Sequence, residues 1–212
     1  MDPNEIAKAK TRTRRLVAAM LAELTPSRRR AASIALAQKL AALPAVRQAR
    51  TVMAFLSLPT EIDTWPTIRW VWREGKRVAI PRIEAGPPGA EAPLAQRSMV
   101  AVLLERADVP AAGSHPAVRA GPLGILDAAG APVVPPGELD VVLAPCQAVD
   151  RQGNRLGKGG GFYDRFLADP QLRAVQIVVA FHEQVLDEVP TAEWDRRVPM
   201  VVTDTEILTF GQ

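Results

Sequence analysis

The chain is poor in the residues that most often do chemistry. It has one cysteine, Cys146, two histidines, His115 and His182, and one tyrosine, Tyr163. One cysteine excludes an intramolecular disulfide, and two histidines leave no Cys/His set for zinc. Lysine is scarce as well, with 5 against 21 arginines. Neither sign of charge dominates: 26 basic and 23 acidic side chains give a net +3, well short of a nucleic-acid-binding footprint. No apolar run approaches the ~20 residues that cross a bilayer. Arg12, Arg14 and Arg15 before the apolar run Leu16 to Ala22 superficially resemble a secretion signal, but that core has the bare minimum length, and Glu23 closes it without a cleavage site. These absences imply a reducing compartment, the cytoplasm, and partners other than nucleic acid or membrane.

What is there fits one folded unit. The 212 residues, 48% apolar and 23% charged, are enough for a single α/β domain over 1–212, with a monomer as the default for this size. Asp2, Pro3 and Glu5 form a helix start, and the stripe Ile6, Ala9, Leu16, Met20, Leu21 and Leu24 continues it. Thr25-Pro26 restarts a second helix that Pro44 stops. Then come a strand over 51–57, a helix over 64–74 closed by Gly75, and a strand over 77–80 ended by Pro81. This is a β-α-β unit, whose strands should be parallel. From Glu84 to Pro136 only a strand near 99–104 is legible. Beyond it lie a strand over 140–144, a glycine-rich loop over 151–161, a short helix over 162–168, a strand over 176–181 and a last edge at 201–203. The fold class is α/β, a mostly parallel central sheet with helices on both faces in a Rossmann-like three-layer architecture. Ligands in such sheets gather at the carboxyl ends of strands.

The strongest local signal is Gly153 to Arg165, in which Gly157, Gly159, Gly160 and Gly161 occupy four of five positions. Such a turn lets the backbone approach an anion, and the helix behind it aims free N–H groups at a phosphate. Arg155 and Lys158 add positive charge. It is neither a Walker A loop, since no Gly-Lys-Ser/Thr ends it, nor G-x-G-x-x-G, because Phe162 takes the last position. Asp164 either caps the helix or pairs with Arg165, or it holds Mg²⁺ beside a bound triphosphate. Asp195 is a second candidate, with pairing to a neighbouring arginine as its plain reading. Lys10 and Arg14, four apart on one helix face, either clamp a polyphosphate or form a solvated basic face. Glu61 lies in a strand-to-helix loop, and if Asp63 serves the helix, Glu61 is free for a ligand. Cys146 and both histidines have no evident catalytic partner.

Together these segments resemble the 5-formyltetrahydrofolate cyclo-ligase family. The resemblance runs from Lys10-x-x-x-Arg14 through Phe55-Leu56-Ser57, Glu61-Ile62-Asp63, Ile80-Pro81 and Ala144-Pro145. It continues over Arg155-Leu156-Gly157-x-Gly159-Gly160-Gly161-x-Tyr163-Asp164-Arg165 and ends with Ala180-Phe181, Gln184 and Asp195. It implies an ATP- and Mg²⁺-dependent enzyme that phosphorylates the formyl oxygen of 5-formyltetrahydrofolate and closes the ring to 5,10-methenyltetrahydrofolate, with release of ADP and phosphate. By that resemblance Lys10, Arg14, Arg155, Lys158 and the Gly157 to Gly161 backbone bind ATP, with Phe162 and Tyr163 beside them. Leu56, Glu61, Phe162 and Tyr163 face the folate. Asp164 and Asp195 serve Mg²⁺, and Glu61, Arg155, Lys158 and Tyr163 form the catalytic set. The chain departs from the family pattern at Lys158, often aromatic in bacteria, at Phe162, commonly tyrosine, at Asp127-Ala128 and at Val198-Pro199. Two other readings stay open: a diverged ligase with another acyl-amine substrate, and a non-catalytic folate- or nucleotide-binding module.

Overall fold

The structure, a computed structural model, describes residues 2–84, 97–106, 118–120, 126–128, 130–192 and 195–211. His115 and the segment 121–125 lie outside them.

The helix signals act locally as the sequence implies. Helix α1 (Pro3–Ala22) begins with the Asp2 carboxylate accepting from the Asn4 N–H at 3.1 Å. At the start of α2 (Pro26–Ala42), Thr25 Oγ1 accepts from the Arg28 N–H at 3.2 Å. Pro44 does more than stop α2, because it opens a further helix, α3 (Pro44–Gln48). A fixed φ and a missing N–H suit a first helical turn as well as they end one. Two more helices follow, α4 (Trp65–Arg73) and α5 (Phe162–Leu167). Among the described residues no helix is long and apolar enough to cross a membrane.

The core of the main sheet is parallel. It holds β1 (Thr51–Met53), β2 (Arg77–Ile83), β7 (Val141–Pro145), β10 (Val175–Ala180) and β12 (Met200–Thr203), in the spatial order β12-β10-β7-β1-β2. Antiparallel strands flank it: β3 (Met99–Leu104) and β6 (Val133–Val134) beyond β2, and β13 (Ile207–Thr209) beyond β12. The segment at 200–203 is therefore not the edge that the sequence implies. A two-stranded sheet pairs β4 (Val118–Ala120) with β5 (Leu126–Ala128). Another small sheet joins β8 (Ala148–Asp150), β9 (Arg155–Leu156) and β11 (Val185–Leu186).

Alternation along the central strands sorts side chains to two faces. Val52, Val78, Ile80, Val141, Leu143, Ile177 and Val179 pack with Val17, Leu21, Leu36, Leu40, Val46, Ile68 and Val71 from α1 to α4. Met53, Ala79, Val142, Ala144, Val178 and Ala180 face the other way, against Phe162, Tyr163 and Phe166 of α5. Among the described residues, helices thus cover both faces, four on one and one on the other. Burying a leucine or isoleucine such as Leu36 or Ile68 stabilises by about 1.5–3 kcal/mol, so the four-helix side supplies most of the apolar burial.

Two sequence expectations need correction here. Pro81 does not end its strand. The Arg77 N–H donates toward β1 and the Ala79 carbonyl accepts from it, at 2.8 and 2.9 Å, so position 81 faces that same side. Pairing with β1 has ended by then, and no donor is needed at 81. The 151–161 segment is likewise not one loop, since β9 returns against β8. The buried Asp150 carboxylate closes that turn, accepting from the N–H groups of Gln152 and Asn154, both at 2.9 Å. At its tip, Gly153 has φ +85°, and an added Cβ would lie 2.8 Å from both the Val198 carbonyl oxygen and the Phe210 ring. Gly153→Ala is expected to destabilise the fold by about 2 kcal/mol, read from the midpoint of guanidinium unfolding at an unchanged slope.

Candidate active site

The carboxyl ends of β1 and β7 and the last part of β2 open onto a cleft of about 690 Å³. β1 is shorter than the expected strand over 51–57 because the chain leaves the sheet after Ala54, whose N–H still reaches the Ala79 carbonyl. Phe55, Leu56 and Leu58 then line the cleft. The departing loop is tied by short hydrogen bonds, with Thr64 Oγ1 donating to the Phe55 carbonyl at 2.6 Å and Ser57 Oγ to the Ile62 carbonyl at 2.7 Å. Asp63 serves the start of α4 by accepting from the Trp65 N–H at 2.9 Å. Glu61 is left to face the cleft, one oxygen accepting from the Leu58 N–H at 2.9 Å and the other paired with Lys158 Nζ at 2.7 Å.

The glycine loop, residues 157–161, forms the opposite wall. Gly161 adopts φ +65°, and a Cβ there would come within 2.7 Å of the Arg165 guanidinium, which covers the Phe162 ring at 5.1 Å. Only glycine lets the chain turn into α5 at this point. Arg155 braces the loop from below. It is buried, donates to the Pro145 carbonyl at 3.0 Å, pairs with Asp164, and lies 6.0 Å from the Tyr163 ring centroid.

Lys10, Arg14 and Asp195 do not line the cleft. Arg14 reaches the loop from α1, donating to the Gly157 carbonyl at 2.8 Å and lying against Gly159. Its pKa is lowered by burial, an effect that Asp195 opposes. Lys10 pairs with Asp195, whose carboxylate also accepts from the Ala192 N–H at 2.8 Å. The two proposed metal ligands thus sit in different surroundings, Asp164 on the cleft with Arg155 and Asp195 with Lys10. Among the described residues no group of three or more His, Cys, Asp or Glu side chains could hold a metal ion.

Tyr163 lies in the cleft wall, and its hydroxyl is buried without a hydrogen-bond partner. Such an orphan costs about 1–3 kcal/mol. Burial, and secondarily the charge of Glu61, raise the phenol's pKa, with Arg155 opposing, so the hydroxyl stays protonated.

Glu61 and the glycine loop thus face each other across one cleft. The sequence model of the 5-formyltetrahydrofolate cyclo-ligase family matches residues 6–204. The chain belongs to this family. The 5-formyltetrahydrofolate cyclo-ligase of Escherichia coli (strain K12) is 34% identical over 185 residues, 87% of this chain and 94% of that protein. The mouse protein of the same name is 27% identical over 190 residues, 86% and 87% of the two chains. The NMR structure of Aquifex aeolicus 5,10-methenyltetrahydrofolate synthetase superposes with a TM-score of 0.74 at 25% identity, covering 96% of this chain and 93% of that one. A Mycoplasma pneumoniae 5,10-methenyltetrahydrofolate synthetase, 16% identical, shares the fold with a TM-score of 0.69 over 96% and 99% of the chains. Membership makes the protein an enzyme, a cyclo-ligase, and the cleft its candidate active site.

Several lining residues of this cyclo-ligase were not named as site residues from the sequence, although Pro81 and Pro145 stand in segments that carry the family resemblance. Pro81, Pro145, Cys146 and Gln147 reach the cleft because they sit at or near strand ends. Gln184 acts from behind, its amide donating to the Cys146 and Gln147 carbonyls at 2.7 and 3.1 Å. Burial pushes the Cys146 thiol up to about 12, Arg155 pulling down and Glu61 pushing up. With the thiolate depleted about a thousandfold relative to an exposed cysteine near neutral pH, Cys146 is expected to resist disulfide-exchange reagents until the protein unfolds. Absorbance titration of the single thiol at pH 8, with and without denaturant, checks this.

Proposed function

We propose that the protein, acting as a monomeric single domain in the cytoplasm, cyclises 5-formyltetrahydrofolate to 5,10-methenyltetrahydrofolate with conversion of ATP to ADP and phosphate. The Glu61–Lys158 contact at 2.7 Å carries this reading. A carboxylate placed by the β1–α4 loop and a cation placed by the glycine loop meet across one cleft, so ligands held by the two walls would touch.

The chemistry asks for such a meeting point. A formyl amide has a poorly electrophilic carbon and a poor leaving group. Its oxygen attacks the γ-phosphorus, ADP departs, N10 then attacks the activated carbon, and phosphate leaves with that oxygen while the N10 proton is released. Both steps need positioning and charge neutralisation more than a strong base. Glu61, Leu56, Phe162 and Tyr163 orient the folate, with Glu61 hydrogen-bonded to its pterin or N10 region. Arg155, Lys158 and the backbone of Gly157 to Gly161 hold the triphosphate together with Lys10 and Arg14 from α1, Arg14 also supporting the loop through the Gly157 carbonyl. Asp164, on the cleft and 44% exposed, fits a hard cation that needs one or two carboxylates beside phosphate oxygens and water. Asp195 would join it by exchanging Lys10 for the cation, and bound Mg²⁺ would offset phosphoryl charge.

Mixing the protein with 5-formyltetrahydrofolate and MgATP tests the reading through the near-ultraviolet absorbance of the methenyl product. One ADP per product is expected. ADP without methenylfolate would instead indicate another acyl-amine substrate, and binding without either product a non-catalytic module.

A further inference from the structure

Two buried side-chain polar atoms among the described residues have no hydrogen-bond partner, Thr67 Oγ1 on α4 and Tyr163 Oη in the cleft wall. The charged side chains of the cleft, Glu61, Lys158, Arg155 and Asp164, are all paired. Glu61 holds the Leu58 N–H and Lys158, and Arg155 holds Pro145 and Asp164. A buried hydroxyl left open in a binding cleft is a donor waiting for a ligand acceptor.

Its position indicates which acceptor. Tyr163 shares the cleft lining with Glu61 and Arg155, and the Arg155 guanidinium lies 6.0 Å from its ring centroid. Those residues stand on the folate wall and the phosphate wall. In the reaction proposed above, one ligand oxygen must lie between these walls, the formyl oxygen that leaves carbon for phosphorus. We infer that Tyr163 Oη donates a hydrogen bond to that oxygen, fixing it for attack and then supporting its departure with phosphate. The proton stays on the tyrosine throughout. N10–C forms first, and the C–O bond then breaks with the phosphate taking the electron pair as the N10 proton is released to solvent. This inference rests on the folate reading of the cleft.

Because Tyr163 is the only tyrosine, the contact can be observed without turnover. In protein labelled with ¹³Cζ-tyrosine, the single signal is expected to shift on adding 5-formyltetrahydrofolate and to stay in place with a non-hydrolysable ATP analogue alone. In Tyr163→Phe, kcat should fall about a hundredfold while the analogue's Kd is unchanged. The Tm of the ligand-free variant should be equal or higher, since the change deletes an unpaired hydroxyl. A merely structural tyrosine would lower Tm and leave the signal unmoved by folate. A shift with the analogue and none with folate, or a kcat within threefold of the parent, overturns the inference. Absence of methenyl product from the parent protein itself would instead overturn the reading beneath it.

Discussion

Arg155→Ala is expected to lower stability by about 3 kcal/mol and to reduce methenyl-forming turnover at least a thousandfold. The Arg155 side chain is 3% exposed and makes two charge-assisted contacts, to the Pro145 carbonyl and to Asp164, while its guanidinium lies over Tyr163. Removing a buried partner costs about 3–5 kcal/mol when the orphaned charge stays buried. Here Asp164 is 44% exposed and can turn to water, which places the loss at the low end. For a chain of this length the corresponding drop in Tm is about 6–12 °C, measurable by circular dichroism. The larger effect on turnover follows from position. Arg155 ties the end of β7 to the first turn of α5 and packs against Gly157, so its loss loosens the glycine loop to which the proposed function assigns the nucleotide. Arg155→Lys separates the two consequences. Lysine keeps the charge but cannot span Pro145 and Asp164 with one planar fork, so most of the stability should return while turnover stays at least a hundredfold down. Parent-like turnover in Arg155→Lys would reduce the residue to a structural brace.

The legible parts of the molecule were those governed by local rules. Proline at a first helical turn and capping side chains placed α1 and α2, and unbroken apolar runs placed β3, β7 and β10 within a residue or so. Glycine spacing marked the loop at 157–161 because φ +65° at Gly161 is a property of one residue. The misread parts depend on who the neighbour is. Pro81 stays in its strand because β1 has already ended, and 200–203 is internal because β13 folds back beside it. For Pro81 the deciding strand lies far back in the chain, and for 200–203 it is a three-residue segment, Ile207–Thr209, too short to stand out. The same holds in the site, where charge and the family resemblance marked Arg155 and Lys158 as phosphate ligands. Only the fold shows Arg155 buried under the loop and Lys158 turned to Glu61. Lys10 and Asp195, 185 residues apart, meet only because α1 lies close to the segment before β12.

Glu61→Gln is expected to leave folding nearly intact and to lower kcat by about 10²–10⁴-fold. A glutamine fits the same volume, and its carbonyl oxygen can still accept from the Leu58 N–H, which holds the side chain in place at 2.9 Å in the parent. What disappears is the negative charge beside Lys158. Lys158 is 33% exposed, so solvent screens the pair, and its loss should cost no more than about 1 kcal/mol. Turnover depends on that charge differently. In the proposed reaction, a carboxylate at this position can accept a hydrogen bond from N10 and stabilise the positive charge that grows on the N5–C–N10 unit as the ring closes. An amide offers the first interaction only weakly and the second not at all. The KM for 5-formyltetrahydrofolate should rise, and the KM for ATP should change little, because the glycine loop keeps its own supports from Arg14 and Arg155. Lys158→Met tests the other side of the contact. It leaves Glu61, 10% exposed, without its cation and should raise the KM for ATP instead. If the two residues act only through their mutual pair, the double variant will lose no more activity than the worse single one. If each holds its own substrate, as the walls of the cleft imply, the losses will multiply.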